Sequence, residues 1–177
     1  MTALATGTNE YLEDFERFEK RGGGNPAWMA PIRKAAISRF AEMGFPTTRD
    51  EEWRFTNVAP IAGAVFRRVE PAPPPGREAV SPFLLGAAAR NRLVFVNGHF
   101  APQLSQTACG PDGVCATNLH RTPGREADIL AAHLTRYADF RRHPFTALNT
   151  AFFEDGAFVR VPGGRSVEEP IHLLFLS

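Results

Sequence analysis

The stretch RLVFVNGHF, at residues 92–100, restricts the fold of this chain more than any other feature. Val94 and Phe95 lie in a short apolar run, and Asn97 and Gly98 follow it closely. Asn-Gly favours a two-residue turn because both positions adopt a positive φ, which matches the twist of two antiparallel strands. The sequence therefore predicts a β-hairpin here.

Four other segments have the periodicity of helices. Tyr11, Phe15 and Phe18 recur at helical spacing in the first segment, and Gly44 ends the second. Helices are predicted over residues 9–21, 31–44, 125–140 and 144–153. Two further strands are predicted at GAFVRV (156–161) and IHLLFL (171–176). Helices and strands that occupy separate parts of the chain indicate an α+β fold.

The stretch TTRDEEWRF places four charges directly before a tryptophan. Thr48 and Glu51 fit a capping box, which predicts a helix start with acidic residues at the positive end of its dipole. Trp53 then anchors the helix in the core, Arg49 contacts its ring, and Pro60 ends the helix. The functional alternative is an exposed Arg–Trp recognition patch.

Composition excludes several classes of function. The 177 residues are 44% hydrophobic and 22% charged, which is an ordinary globular balance for about one domain. A net charge of +1 provides no strong field to attract nucleic acid or an anionic membrane. No signal peptide or membrane-spanning run is visible, so a cytoplasmic location is predicted.

The two cysteines, Cys109 and Cys115, are separated by five residues in CGPDGVC. A tight zinc site prefers a closer pair and needs two more ligands, and the nearest histidine is His120. Two cysteines do not make a disulfide framework. The interpretation is a Pro-Asp-Gly turn with two incidental thiols. A Cys–His nucleophile is the alternative, although nothing nearby indicates an activated thiolate.

The remaining polar candidates form no catalytic pattern. His133 lies on an apolar helix face and His172 in an apolar strand, which favours core or rim histidines over metal ligands. Glu168 and Glu169 precede a proline and indicate a solvated turn. GGGNPA, at residues 22–27, follows a helix rather than a strand and so lacks a nucleotide-binding context. The other histidines, His99, His120 and His143, form no metal-binding pair. No catalytic, cofactor-binding or metal-binding residue is predicted.

Four stretches together resemble the SufB/SufD family of the SUF iron–sulfur cluster assembly machinery. They are FPTTRDEEWRFTNVAPI, RLVFVNGHFAPQLS, ALNTAFFEDGAFVRVP and VEEPIHLLFLS. EEWRF and PIHLLF are more similar to the SufD branch than to SufB. The resemblance covers most of the chain from Phe45 to Ser177.

The resemblance implies a non-catalytic scaffold subunit. Its expected fold is an N-terminal helical region with a β-hairpin, leading into the first strands of a parallel β-helix. Its expected partners are a SufB-like paralogue and a SufC-like ATPase, and the complex handles an iron–sulfur cluster and ATP. No cofactor is expected in this segment itself. The alternatives are a β-helix-type hydrolase fragment and a stand-alone protein-binding module.

Four segments follow from this interpretation. They are a helical region (1–69), a proline-rich connector (70–76), an α/β region with the hairpin and a helix (77–143) and the start of a truncated β-helix core (144–177). IHLLFL is apolar at every position except His172, which is typical of a strand buried on both faces. Neighbouring strands are expected beyond Ser177. Without them, the segment is expected either to self-associate through residues 171–176 or to pack these residues irregularly against its own helices.

Overall fold

The computed structural model contains helices and two small sheets, which confirms the α+β class. The described residues do not form a parallel β-helix. GGGNPA, apart from Ala27, and the beginning of the proline-rich connector lie outside the described part of the chain. The structure describes residues 6–21, 27–64, 66, 69, 73–84 and 91–177.

The helices and strands are named in chain order. The α-helices are α1 (Thr6–Lys20), α2 (Ala30–Met43), α3 (Ala59–Ala62), α4 (Arg77–Val80), α5 (Gly124–His133) and α6 (Pro144–Phe152). The strands are β1 (Asn91–Val96), β2 (His99–Phe100), β3 (Ala108–Cys109), β4 (Cys115–Asn118), β5 (Ala157–Arg160) and β6 (Ile171–Leu176). No helix in the described ranges combines the length and the apolar character needed to cross a bilayer.

The chain forms two compact units. The first comprises Met1–Arg67 and His133–Glu154, and the second comprises Arg68–Ala132 and Asp155–Ser177. Contacts between segments distant in sequence define these units. The four consecutive segments expected from the sequence follow chain order instead, and they remain a prediction about domain organisation.

Apolar side chains from α1, α2 and α6, together with Phe140, form the core of the first unit. Phe40 is fully buried and meets Tyr11 and Phe45 edge to face, at ring-centroid distances of 5.8 and 5.2 Å. Edge-to-face pairs stabilise a core beyond the area they bury. Gly44 ends α2 at φ 65°, and its N–H donates to the Phe40 carbonyl at 2.8 Å. The predicted second helix and its glycine stop are confirmed.

The side-chain hydrogen bonds of the TTRDEEWRF stretch join Thr47 and Asp50 rather than the predicted pair, Thr48 and Glu51. The Thr47 hydroxyl accepts from the Arg49 N–H, and the Asp50 carboxylate accepts from the Thr47 N–H at 2.6 Å. The helix that follows is a short 3₁₀ turn, Glu51–Trp53. The N-cap residue of this turn is Asp50, and it makes no side-chain capping bond, so the predicted Thr48–Glu51 capping box is wrong.

Two other predicted helix ends are wrong. Pro60 does not end a helix but lies in the first turn of α3. The missing N–H of proline costs no hydrogen bond in a first turn. Helix α5 ends at His133 rather than at residue 140. Thr135 adopts φ 66°, which a β-branched residue reaches only outside a helix. Tyr137 is consequently 79% exposed.

The predicted hairpin is confirmed in the second unit. Phe95 pairs with Phe100 in antiparallel register, and the turn residues Asn97 and Gly98 have φ 49° and 83°. Strand β6 adds to the other side of β1 in parallel, which gives the order β2-β1-β6. The second sheet is antiparallel, with the order β3-β4-β5.

Candidate functional site

Strand β6 is an edge strand of its sheet. It pairs with β1 along its whole length, from Asn91 opposite Ile171 to Val96 opposite Leu176. No other strand among the described residues pairs with its second edge. An unpaired edge presents backbone N–H and C=O groups that a further strand can bind.

The two faces of β6 differ. Leu174 and Leu176 pack against a buried cluster around Val94 and Leu104. On the opposite face, Leu173 is 41% exposed and Phe175 is 64% exposed. Only one face of β6 is covered in this structure. That neighbouring strands beyond Ser177 cover the second face stays a prediction.

The exposed face of β6 continues a buried face of β1. Leu93 and Phe95 lie opposite Leu173 and Phe175 in the parallel register, and both β1 residues are at most 1% exposed. The Phe175 ring stacks on the Phe95 ring at 5.2 Å, with 13° between the planes. Leu173, Phe175 and the unpaired edge of β6 are called the β6 surface below. An apolar surface beside an open strand edge suits the binding of another strand.

The two cysteines form the second candidate site. Cys109 on β3 lies directly opposite Cys115 on β4, and their sulfurs are bonded as a disulfide. The interpretation of two incidental thiols is wrong for this structure. Sequence spacing suggested a turn but did not indicate that the turn would bring the two residues into register.

Asp155 is a hydrogen-bonded centre that the sequence did not indicate. Its carboxylate accepts from the Asn118 side chain at 2.6 Å and from the backbone N–H groups of Leu119 and Gly156 at 3.1 and 2.8 Å. His120 Nδ1 lies 3.5 Å from the same carboxylate. These contacts tie the end of β4 to the start of β5. Their geometry supports a structural role, since the carboxylate is occupied by local donors.

The five histidines do not converge on one site. Nitrogen atoms of His99, His133 and His143 lie beside the Val69 carbonyl, the Tyr137 hydroxyl and the Glu52 carboxylate. His133 is exposed, so of its two predicted positions, core and rim, the core position is wrong. His172 Nδ1 is buried without a hydrogen-bond partner in the described structure. In the described ranges, no three His, Cys, Asp or Glu side chains cluster as metal ligands do.

Trp53 is half-buried rather than fully buried. Its ring packs against Phe145 at 5.2 Å, and no cation–π contact joins it to Arg49. The indole also lines an open cavity of about 360 Å³. The other lining residues include the carboxylates of Asp50, Glu51 and Glu52. Trp53 is therefore a packing residue with one accessible side.

Comparison with known proteins identifies the family. Residues 87–173 match the family model described as the SufBD protein N-terminal region. A protein of Synechocystis sp. described as an iron–sulfur cluster assembly SufBD family protein is 33% identical over 152 residues. The match covers 82% of this chain and 32% of the relative, so the chain spans about a third of that protein's length. Residues 87–173 belong to the SufBD family and carry its N-terminal region.

Proposed function

We propose that this chain is part of a non-catalytic scaffold subunit of an iron–sulfur cluster assembly complex. The observation that carries the proposal is the family match over residues 87–173, which begins before β1 and extends into β6. The description of the Synechocystis relative as an iron–sulfur cluster assembly protein supports the same role. The stretches EEWRF and PIHLLF favour the SufD branch within the family.

The β6 surface supports the interaction part of this role. A strand inside a larger stack is apolar on both faces, and one of the two apolar faces of this parallel pair is open. We propose that β1 and β6 form the first parallel pair of a β-helix and that a further strand pairs with β6. In this chain alone, the same edge supports self-association through residues 171–176.

The partners in the proposed complex are a SufB-like paralogue and a SufC-like ATPase. They supply the iron–sulfur cluster and the ATP chemistry, while this chain supplies a surface for assembly. A β-helix-type hydrolase and a stand-alone binding module are the competing functions. The family match favours the scaffold over both, since a SufBD description accompanies each comparison.

Co-expression tests the role in cluster assembly. Affinity-tagged chain is produced with the SufBD paralogue and the ABC-type ATPase of the same genome, and the purified material is assayed for both proteins, iron and acid-labile sulfide. We expect the paralogue to copurify with the folded chain. A folded chain that recovers neither protein would overturn the proposed role.

A pair of matched variants tests the β6 surface. Leu173 on β6 and Val159 on β5 are 41% and 43% exposed, and each lies on an edge strand. Light scattering over a concentration series should show self-association that Leu173→Lys abolishes and Val159→Lys preserves, because a lysine on the edge opposes strand pairing. Equal effects of the two lysine substitutions would contradict self-association specifically through the β6 edge. A wild-type chain that stays monomeric at all concentrations would contradict it as well. Leu174→Lys is unsuitable because Leu174 packs inward.

A further inference from the structure

We propose that Cys109 and Cys115 form a reversible thiol–disulfide couple that exchanges with low-molecular-weight thiols through Cys109. The two residues are direct neighbours across β3 and β4, with their Cα atoms 3.9 Å apart. This inference depends on the β3-β4-β5 sheet and its contacts, and it is independent of the role in cluster assembly.

Backbone hydrogen bonds close the hairpin around the pair. The Gly110 N–H donates to the Val114 carbonyl at 2.8 Å, and the Gly113 N–H donates to the Gly110 carbonyl at 3.0 Å. The Val114 N–H donates to the Asp112 carboxylate at 3.2 Å, and Gly113 adopts φ 82°, which favours glycine. These bonds do not involve sulfur. They hold the two cysteines together when the disulfide is open.

The buried strand β4 fixes one partner. Cys115 is 1% exposed and pairs on its other side with Arg160 of β5. Arg160 in turn binds the Glu126 carboxylate at 2.8 Å and lies 3.5 Å from the Gly113 carbonyl. Because β5 and this ion pair hold β4, opening the disulfide leaves the Cys115 thiol facing Cys109. Two thiols held in this way re-form their bond as an intramolecular reaction, which greatly favours closure.

Accessibility selects the sulfur that is attacked. Cys109 is exposed, whereas Cys115 is buried. An external thiolate attacks Cys109 Sγ, the disulfide breaks, and Cys115 Sγ leaves as a thiolate that takes a proton from water. A second thiolate then attacks the external sulfur of the mixed disulfide, and Cys109 is released as a thiol. In the overall reaction, one protein disulfide and two external thiols give one protein dithiol and one external disulfide.

Equilibration with glutathione tests the couple. The 177-residue chain is incubated at graded ratios of reduced to oxidised glutathione, quenched in acid, alkylated and weighed by mass spectrometry. We expect one two-electron transition from the disulfide to a doubly alkylated dithiol, with an unchanged far-ultraviolet circular dichroism spectrum. A disulfide that persists at every ratio, one that never forms, or a dithiol form with lost secondary structure would overturn the proposal.

Single-cysteine variants test the direction of attack. In Cys115→Ser, Cys109 should accumulate a mixed disulfide with glutathione. In Cys109→Ser, Cys115 should react at least about tenfold more slowly, because thiol reactivity follows access. Equal rates would contradict attack through Cys109. If a variant fails to fold, brief alkylation of the reduced wild-type chain, followed by peptide mapping, compares the two thiols in one folded molecule. Equal labelling of Cys109 and Cys115 in that experiment would also contradict attack through Cys109.

Discussion

The guanidinium of Arg33 caps the C-terminus of α6, and we predict that removing it lowers the stability of the first unit. The residue is only 2% exposed, and its Nε and Nη2 donate to the Phe153 carbonyl at 3.1 and 2.7 Å. Phe153 is the C-cap residue of α6, where carbonyl groups lack partners within the helix and the dipole favours positive charge. The guanidinium also lies 5.8 Å from the centre of the Phe18 ring.

Arg33→Met removes this cap while retaining most of the side-chain volume. Methionine has nearly the same helix propensity as arginine and keeps an apolar stem for packing. A hydrogen bond from a charged donor contributes about 1.5–3 kcal/mol, and a cation at a helix C-terminus contributes about 0.3–1 kcal/mol. The two donors share one carbonyl and act as a single interaction. The expected loss in the free energy of unfolding is about 2–4 kcal/mol.

Burial also lowers the pKa of Arg33, and the nearby Glu154 carboxylate opposes that shift. Arg33→Lys keeps the charge but loses the planar pair of donors. Its destabilisation should therefore lie between those of the wild type and Arg33→Met. Comparing Arg33→Lys with Arg33→Met therefore separates the contribution of the paired hydrogen-bond donors from that of the positive charge.

Urea denaturation, followed by far-ultraviolet circular dichroism, measures these effects. Lys34→Met is the matched control, since Lys34 is the next residue of α2, is 64% exposed and lies 3.5 Å from Glu19. An exposed ion pair contributes between zero and about 1 kcal/mol. If Arg33→Met destabilises the chain no more than Lys34→Met does, the capping argument is wrong.

Three further outcomes are expected. Trp53→Ala should lower the free energy of unfolding by about 1.5–3 kcal/mol in urea titrations. This loss is smaller than for a fully buried aromatic residue, because one side of Trp53 is open. An unchanged free energy of unfolding would support the recognition-patch alternative. Gly98→Ala should cost about 1–2 kcal/mol in thermal unfolding, because Gly98 has φ 83°, whereas a neutral result would contradict the turn. Burial, with smaller contributions from Glu10 and Asp14, raises the pKa of Tyr11 above 10.0. The unfolded chain then loses this proton first, so the contribution is present below about pH 10 and is lost as pH rises through the folded-state pKa. Tyr11→Phe should weaken that loss in urea titrations at increasing pH, and an unchanged pH dependence would refute it.

Local patterns predicted most of the secondary structure. The hairpin at Asn97 and Gly98, the glycine stop of α2 and the residues of β6 are where the sequence indicated them. Each depends on neighbouring residues and on backbone preferences, which act in any tertiary context. Helix α5 ended early because Thr135 took a left-handed conformation, and no local signal marked that residue.

The candidate sites depended on contacts between distant residues. Arg33 binds a carbonyl group that lies 120 positions away along the chain. Asp155 likewise meets Asn118 across 37 positions. Polar residues of this kind are satisfied by whichever donors or acceptors the fold brings near, so a sequence pattern does not identify their partners.

By itself, the sequence determined the α+β class, the hairpin, the main helices and the resemblance to the SufBD family. These follow from turn chemistry, periodicity and ordered motifs, all of which are readable along the chain. Only the tertiary structure decided that β6 pairs in parallel with β1 and leaves Leu173 and Phe175 exposed. It also decided that Cys109 and Cys115 meet in register. The physical reason is that strand pairing and burial depend on which distant segments pack together, whereas an apolar strand has the same sequence whether one face is covered or both are.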